Sequence, residues 1–511
     1  MRLVQWLSAT GLAVTLVACS GGGGVDVGGT AGDDDGSGGT DPLLAAIGGE
    51  PDQLDPAKTS SYYSFQVLEN VYDTLVEPDE NLQMQPALAK SWEVSDDQRT
   101  WTFTLRDDVE FHDGSAFTAD DVVYSYNRII DEELPVAYRF AAVTKVTAPD
   151  DSTVVIELAQ PTPNLLASIG GYKGVAIVQE DNVESGDIKN QPVGTGPFAL
   201  VDYAQGDSIT LESNPGYWGG APAISGVEFS FVSDPTVALQ NLESGEVHWT
   251  DNLPPQQVSS LVERDDLAVD SAPSNDYWYF APNQEQEPFD DPRVRQALAW
   301  AIDRDEITQA AKFGNATSNQ TAIPESSAWY HDYAPYSQDQ DRATELLAAA
   351  GAEDLSFELM VTSEYPETVS VAQVMSSQLA EVGVDVKIRT LDFATWLDEQ
   401  GKGNFDVFML GWLGNIDPDE YYYAQHHSGG SFNFHGYDNP EVDQLLDDAR
   451  VETDQADRKA LYDQIAELIV DDASYVYLYN PDVVQGWSPD VQGYTVRSDR
   501  AIRFRDVQLD G

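Results

Sequence analysis

The chain has 511 residues, of which 41% are hydrophobic, so it is long enough for two or three domains with cores of ordinary size. Its 88 aspartates and glutamates outnumber its 26 lysines and arginines and give a formal net charge of −62. A chain this acidic, with no run of basic residues, is excluded from binding nucleic acid through a basic face.

The acidic residues are spread along the whole chain, in pairs such as Asp96-Asp97, Asp265-Asp266 and Asp471-Asp472. We interpret this pattern as the surface of a protein adapted to a very salty medium, where a Debye length of roughly 3 Å at 1 M salt screens the self-repulsion. A cation-binding surface is the alternative, and it predicts clustered calcium loops. The nearest approach to such a loop, DDDG at residues 33–36, lies in a glycine-rich linker.

Residues 1–19 are predicted to form a lipoprotein signal peptide. Arg2 precedes roughly 15 mostly apolar residues, too few to span a bilayer of ~30 Å. The segment ends in LVAC, which resembles the lipobox of bacterial lipoproteins, whose cysteine is lipidated and becomes the new N-terminus. Cys19 is then the lipid attachment site, and an ordinary cleaved signal peptide is the alternative. As the only cysteine, Cys19 also excludes disulfides and cysteine-ligated zinc.

Residues 20–40 are rich in glycine and aspartate and predict a flexible linker with a reach of roughly 25 Å, which suits a tether to a membrane. Folded elements begin at residue 41. Residues 60–76 have helical apolar spacing, and residues 101–105 alternate as a strand does. HDG at residues 112–114 predicts a turn, and Thr118 is placed to cap the helix that follows.

In the second half, helices and strands alternate. Asp291-Pro292 predicts the start of a helix. We then predict a helix ending at Gly351, a strand at 355–362, a helix ending at Gly383, a strand at 384–391, a helix near 393–400 and a strand at 405–412. This order is typical of an α/β domain with an at least partly parallel sheet. Residues 412–419 follow the last strand, at the edge where open α/β sheets place ligand crevices.

No catalytic or metal-binding pattern accompanies this crevice. His426 and His427 are adjacent and so point in different directions, and the six histidines of the chain form no HExxH motif. GTGPF at residues 194–198 lacks the GK[ST] ending of a phosphate loop, and His112 has no GxSxG serine to activate. We therefore interpret GTGPF as a backbone hinge or turn, His112 as a structural histidine at a turn and Asp417-Pro418 as a turn. We expect no metal, no cofactor and no enzymatic activity.

Six segments in order resemble the family 5 extracellular solute-binding proteins, the peptide-type receptors of ABC importers. They are ALAKSWEVSDDQRTWTFTLRDDVEFHDGSAFTADDVVYSYNRI (87–129), GTGPF (194–198), NPGYWGGAP (214–222), FDDPRVRQALAWAIDRDEI (289–307), LAEVGVDVKI (379–388) and FNFHGYDNPEVDQLL (432–446). The resemblance implies an α/β fold of the periplasmic-binding-protein type (type II, large cluster C form), with two hinged lobes and an extra inserted domain. Its expected domains are I (41–76, 192–275 and 483–511), II (77–191) and III (276–482).

The resemblance also implies a ligand site at the segment that begins with Trp412 and continues through Gly414. Peptide-binding members carry an aspartate three residues after this tryptophan, which pairs with the α-ammonium of the peptide, and this chain has Asn415 there. Asn415 supplies no charge for a buried ammonium, so Asp417 is the candidate to replace it.

Dipeptide-specific members hold the ligand carboxylate with an arginine where this chain has Val369 and Ser370, so simple dipeptides are disfavoured. Longer peptides, held through their backbone, and oligosaccharides, stacked on aromatic rings, remain open. The aromatic residues that we place nearest the cleft are Tyr62, Tyr63, Tyr277, Trp278, Tyr279 and Trp412. Each of them is equally compatible with a position in the core.

Together these features predict a lipid-anchored monomer on the extracytoplasmic face of the membrane. It binds a small-molecule ligand, an oligopeptide or a similar polar solute, and delivers it to ABC permease subunits. One alternative keeps the fold and binds an oligosaccharide or a nickel chelate, and a less favoured one is a secreted hydrolase. The sequence leaves open the ligand, which of Asn415 and Asp417 meets an amine, and whether folding requires high salt.

Overall fold

The computed structural model describes residues 41–171, 174–413 and 415–510, so Cys19, the signal peptide (1–19), the linker (20–40) and Gly414 lie outside the described residues. The strands are β1 (Leu43–Ile47), β2 (Val76–Pro78), β3 (Met84–Pro86), β4 (Ala89–Val94), β5 (Thr100–Leu105), β6 (Val143–Asp150), β7 (Thr153–Leu158), β8 (Phe198–Ala204), β9 (Ser208–Ser213), β10 (Gly226–Phe231), β11 (Trp249–Thr250), β12 (Ala268–Pro273), β13 (Tyr277–Pro282), β14 (Ala316–Ser318), β15 (Ser356–Thr362), β16 (Asp385–Leu391), β17 (Val407–Trp412), β18 (Val476–Trp487), β19 (Val491–Gln492) and β20 (Gln508–Leu509). The helices are α1 (Tyr62–Leu68), α2 (Ala119–Asp131), α3 (Leu165–Gly170), α4 (Glu180–Glu184), α5 (Pro235–Ser244), α6 (Val258–Leu261), α7 (Pro292–Ala301), α8 (Arg304–Lys312), α9 (Gln340–Ala350), α10 (Pro366–Glu381), α11 (Phe393–Gly401), α12 (Pro418–His426), α13 (Pro440–Val451) and α14 (Gln455–Asp471).

A twelve-stranded sheet joins segments that are far apart in the sequence. Its strand order is β16-β15-β17-β13-β18-β11-β1-β10-β9-β8, and β12 and β14 also pair with β18. The long strand β18 pairs with β13 through residues 476–479 and with β12 through residues 482–487. One continuous strand therefore links the two halves of this sheet.

The predicted α/β alternation of the second half is confirmed. β15 runs parallel to both β16 and β17, whereas β17 pairs antiparallel with β13. Asp291 caps α7 by accepting from the Arg293 amide, and proline occupies its first turn. Gly351 ends α9 in a left-handed conformation at φ +74°, which favours glycine. These are local signals, and local rules were sufficient to find them.

A separate antiparallel sheet of order β4-β5-β7-β6 packs with α2. In β5 every second residue is buried, as the alternation predicts. Thr118 begins α2 with a capping box, in which its backbone amide donates to Asp121 Oδ2 at 2.8 Å. The predicted strand, turn and helix start in this region are confirmed.

The prediction of a helix over residues 60–76 is wrong in its length, because α1 ends at Leu68. The carbonyls of Asn70 and Val71 instead accept hydrogen bonds from the amides of Phe198 and Gly196, at 3.0 and 2.9 Å. The GTGPF segment thus takes the backbone groups that a longer helix would have used. His112 braces the same segment, with Nε2 3.0 Å from Gly196 O.

The buried apolar residues form three large clusters and one smaller one. The first lies within residues 277–479, and the second within residues 57–177. The third combines residues 43–72 with residues 176–249 and 491–507. The first two clusters and the smaller one contribute residues to the cavity described next.

Candidate functional site

A cavity of about 1300 Å³ has a lining that includes residues of the first, the second and the smaller cluster. It exceeds the roughly 300–1,000 Å³ of common small-molecule pockets, so it has room for a solute of several residues or sugar units. Its wall includes the end of β17, the first residues of α1 and the segment after β11. The C-terminal segment that follows β19 adds Arg500.

The strand end predicted from the sequence forms part of this wall. Trp412 is the last residue of β17, and its ring meets that of Phe432 edge to face, with 4.8 Å between centroids. Phe432 also contacts Tyr138 edge to face, at 5.4 Å. These three rings connect the short 3₁₀ helix at residues 137–140 to the α/β half of the chain, across one side of the cavity.

Asn415 lies in the wall with its backbone fixed and its side chain unpartnered. Its carbonyl accepts from Asn275 Nδ2 at 2.7 Å and from the Tyr421 hydroxyl at 3.1 Å. The side chain is fully buried, and neither its amide nitrogen nor its amide oxygen has a hydrogen-bond partner among the described residues. A buried amide without partners is costly, so a bound solute is its expected partner.

Trp278 on β13 is a second buried group of this kind. Its ring stacks on Tyr479 and meets Tyr365 edge to face, and its indole N–H has no partner among the described residues. Gly411, directly opposite on β17, makes room for the indole, because a Cβ there would lie 2.7 Å from the ring. Gly411 therefore allows the Trp278 ring of the neighbouring strand to pack against it.

Asp251, which directly follows β11, brings a carboxylate to the wall. Its Oδ2 accepts a hydrogen bond from Gln66 Nε2, whereas its buried Oδ1 has no partner among the described residues. Burial raises the pKa of Asp251, and the nearby Arg500 guanidinium acts in the opposite direction. Burial likewise raises the pKa of the Tyr62 and Tyr63 hydroxyls, which lie near the same two charges, Asp251 and Arg500.

Arg500 is held from two sides. Its Nη1 donates to Asp276 Oδ2 at 2.8 Å, and its guanidinium carbon lies 4.1 Å from the centre of the Tyr62 ring. The cation therefore has both a buried counter-charge and an aromatic face. Asp276 immediately precedes β13, so this contact joins the C-terminal segment to the α/β half of the chain.

The structure places six of the sequence-predicted site residues in the wall: Tyr62, Tyr63, Trp278, Tyr279, Trp412 and Asn415. Tyr277 is not one of them. It is buried beneath the wall, stacked on Tyr421 with 5.8 Å between ring centroids, so for Tyr277 the core interpretation holds.

Asp417 also lies outside the wall, and the expectation that it meets a ligand amine needs correction. Its two carboxylate oxygens accept from Arg458 at 2.6 and 2.7 Å, in an ion pair that is almost completely buried. Its Oδ1 accepts from the Asp419 amide and so caps α12. With Arg458 as its counter-ion, Asp417 has no charge left for a ligand. The expected turn at Asp417-Pro418 is the first turn of a helix.

The histidines do not form a metal site. Within the described ranges, no group of three or more histidine, cysteine, aspartate or glutamate side chains could hold a metal ion. His426 is buried, with Nδ1 3.1 Å from Ser474 Oγ and Nε2 2.9 Å from the Tyr477 hydroxyl. Burial lowers the pKa of His426 to about 3, so the ring is neutral and serves the core.

Sequence reasoning missed Asp251, Arg500, Asp276 and Arg139. Arg139 lines the cavity and donates to Glu420, and both of these side chains are buried. None of the four residues lies in a motif, and Arg500 and Asp276 are 224 positions apart. The one available signal was the assignment of residues 483–511 to the same lobe as residues 41–76.

Comparison with known proteins gives a consistent result along the chain. The model of the bacterial extracellular solute-binding proteins, family 5 Middle, matches residues 83–433. The glutathione-binding protein GsiB of Pectobacterium atrosepticum is 31% identical and aligns with 91% of this chain and 94% of its own length. Among solved structures, the binding protein DppA of Helicobacter pylori in complex with the peptide STSA has a TM-score of 0.84 at 27% identity, over 92% of this chain and 98% of that one. AgaA of A. tumefaciens R10 in complex with agropinic acid also gives 0.84 at 27% identity, over 92% and 99%.

Proposed function

The chain belongs to the bacterial extracellular solute-binding proteins of family 5, and from this membership we propose that it captures an oligopeptide or a similar polar solute. It has the type II periplasmic-binding-protein fold of cluster C and is a solute receptor of an ABC importer, not an enzyme. The observation that carries the proposal is a group of buried polar atoms in one cavity wall, on Asn415, Trp278 and Asp251, that have no partner in the part of the chain that the structure describes. A bound solute satisfies them all.

This wall suits a longer peptide better than a free dipeptide. The Asn415 amide can donate and accept at once, which matches a peptide group. Ser370 lines the cavity at the position where dipeptide-specific members carry arginine, so nothing there holds a terminal carboxylate. The named ligands of GsiB and DppA, glutathione and the peptide STSA, are themselves peptides.

The six wall residues predicted from the sequence are the proposed ligand contacts, and the domains are proposed with the bounds given above. The three large apolar clusters support those bounds, since each falls almost entirely within one domain. Arg139 and Tyr138 of domain II contact Glu420 and Phe432 of domain III, which are contacts of a closed cleft. Ligand favours closure because it touches both lobes only in that state.

The receptor is proposed to be a monomer tethered outside the membrane through a lipid on Cys19. The support is the lipobox-like LVAC, the linker at residues 20–40 and the extracytoplasmic character of the family. In the described ranges, no helix has the length and apolar character needed to cross a membrane. The net charge of −62 supports a highly saline habitat.

Identification of the co-purified ligand tests the proposal. The protein is purified from its own host in high salt without denaturation, and whatever is then released is analysed by liquid chromatography and mass spectrometry. Peptides are the expected result, and hydrolysis of added peptides by the pure protein would contradict the receptor assignment. Small-angle scattering should show compaction with any solute that raises the melting temperature.

An oligosaccharide is the second candidate, and the aromatic wall is the observation that favours it. Trp412, Phe432 and Phe434 form a continuous series of rings at 4.8 and 6.1 Å. Sugars stack on such surfaces. Co-purified glycans, together with loss of binding in Trp412→Ala, would replace the peptide assignment and retain the receptor.

A further inference from the structure

The charges of the cavity wall are unevenly matched. Its cationic residues are Arg139, Lys312 and Arg500, and its carboxylates are Glu50, Asp52, Asp251, Glu364, Glu367 and Asp482. Every one of these cations already has a carboxylate partner. Arg139 donates to Glu420, Lys312 lies 3.1 Å from Glu367, and Arg500 lies 2.8 Å from Asp276.

No cation of the described wall is therefore left for an anionic ligand. A solute that enters with a carboxylate would have to compete with a carboxylate already in place, and the cavity would hold two negative charges near one positive charge. That arrangement is costly where water is excluded. The wall consequently disfavours acidic ligands as a class.

Asp251 is where the mismatch is greatest. Asp251 and Asp276 both face Arg500, so the three side chains together carry one excess negative charge. Arg500 pairs directly with Asp276, and Gln66, which donates to Asp251 Oδ2, is neutral. No other carboxylate of the described wall has a buried oxygen without a hydrogen-bond partner.

The surroundings of Asp251 suit a positive charge. The rings of Tyr62 and Tyr63 line the same part of the cavity, and their centroids lie 6.0 Å apart. Aromatic faces attract ammonium and guanidinium groups, and Tyr62 already holds the Arg500 guanidinium in this way. A ligand cation here would find a carboxylate and an aromatic face together.

We propose that Asp251 is the cation-binding residue of this cavity, and that the solute carries an ammonium or guanidinium group which Asp251 holds. The inference rests on the proposed receptor function and specifies its ligand. Asn415 then contacts a neutral amide of the same solute, and the Trp278 N–H contacts an acceptor on it. The positive charge is recognised at the α1 side of the cavity, and the strand-end segment that begins with Trp412 contacts the uncharged part.

The cation can be a free α-ammonium or the side chain of a basic residue, and a set of four tetrapeptide amides distinguishes these sources. They are Ala-Ala-Ala-Ala-NH2 with a free amine, acetyl-Ala-Lys-Ala-Ala-NH2, neutral acetyl-Ala-Ala-Ala-Ala-NH2 and acidic acetyl-Ala-Glu-Ala-Ala-NH2. Their dissociation constants for the full chain are measured by calorimetry in one high-salt buffer. At least one cationic probe should bind at least about tenfold more tightly than the neutral probe, and the acidic probe should bind most weakly.

Two variants locate the effect. In Asp251→Asn the preference for the cationic probe should fall about tenfold or more, with little change for the neutral probe. Asp482→Asn removes the same charge from the same wall and so measures the general electrostatic effect of losing a wall carboxylate. Its effect on the preference for the cationic probe should be several times smaller. Melting curves check that both variants are folded, and the comparison of probes on the unmodified chain stands without them.

The outcomes separate the two proposals. If no tetrapeptide binds, the oligopeptide assignment fails and the cation site fails with it. If the neutral and cationic probes bind equally well, the chain is a peptide receptor without a cation site. A preference that persists in Asp251→Asn and disappears in Asp482→Asn would likewise overturn the assignment of Asp251.

Discussion

Replacing Asp417 with asparagine tests whether this carboxylate serves the fold or the ligand. In the structure it accepts two hydrogen bonds from Arg458, at 2.6 and 2.7 Å, and both side chains are less than a tenth exposed. Asparagine preserves the cap of α12, because it is as good an N-cap as aspartate. It removes the counter-charge, however, and leaves the buried guanidinium with neutral partners, the carbonyl of Ala449 at 3.0 Å and the hydroxyl of Tyr462 at 3.4 Å.

Removal of one partner from a buried ion pair costs about 3–5 kcal/mol, and we expect Asp417→Asn to lower the free energy of unfolding by this amount. Urea unfolding at fixed KCl, followed by tryptophan fluorescence, measures the loss. The dissociation constant of the folded variant for the released ligand should be unchanged, since Asp417 lies outside the cavity wall.

The double variant Asp417→Asn with Arg458→Met is the control. With both charges removed no uncompensated ion remains, so most of the lost stability should return. The reasoning is refuted if Asp417→Asn retains its stability and loses its affinity, because the carboxylate would then act on the ligand.

Three further predictions concern the fold. His426 has its pKa lowered by burial to about 3, below its usual value, so the unfolded chain takes up a proton first as the pH falls. The free energy of unfolding should therefore fall by about 2 kcal/mol by pH 5. Chemical denaturation should show a smaller fall in His426→Gln, and an equal fall in both proteins would contradict this. A Cβ on Gly194 would lie 2.0 Å from Val71 O, so Gly194→Ala should lose about 1–3 kcal/mol, whereas Gly401→Ala, with nothing within 4 Å, should melt as the unmodified protein does. The melting temperature should rise with KCl into the molar range, because salt screens the net charge of −62, and a curve independent of KCl would show that repulsion is unimportant.

The parts of the fold that the sequence predicted correctly depend on neighbours in the chain. The capping box at Thr118 and the proline after Asp291 act within one helical turn, and the glycine at 351 ends its helix by its own backbone conformation. The end of α1 was misplaced because the groups that stop it, on residues 196 and 198, are more than a hundred positions away. Local periodicity continues past Leu68, and tertiary hydrogen bonds override it.

The same distinction holds for the site. Trp412 and Asn415 could be placed at the cavity because strand ends in an α/β sheet have a known location. Asp417 was misassigned because its counter-ion lies 41 residues later, on α14, where no motif marks it. Asp251 and Arg500 are brought together by the pairing of β1, β11 and β18, a topology that the sequence pattern does not contain.

The distribution of arginine explains how so acidic a chain can have an ordered interior. Among the described ion pairs, every carboxylate less than a tenth exposed is held by arginine, as in Arg128 with Asp55 and Arg503 with Glu69. The lysine pairs have carboxylates that are all at least a quarter exposed. Arginine suits buried pairs, because its planar fork binds both carboxylate oxygens and is weakly hydrated.

Salt therefore acts on two populations of carboxylates in different ways. The exposed ones repel one another and are screened by the medium, whereas the buried ones held in ion pairs have a fixed cation and are screened much less. Asp251 belongs to neither population, since it is half-buried with its Oδ1 enclosed in the wall, and its nearby cation, Arg500, is paired with Asp276. Its need for a positive charge should thus persist in molar salt, the condition in which the proposed saline habitat would require the receptor to recognise its solute.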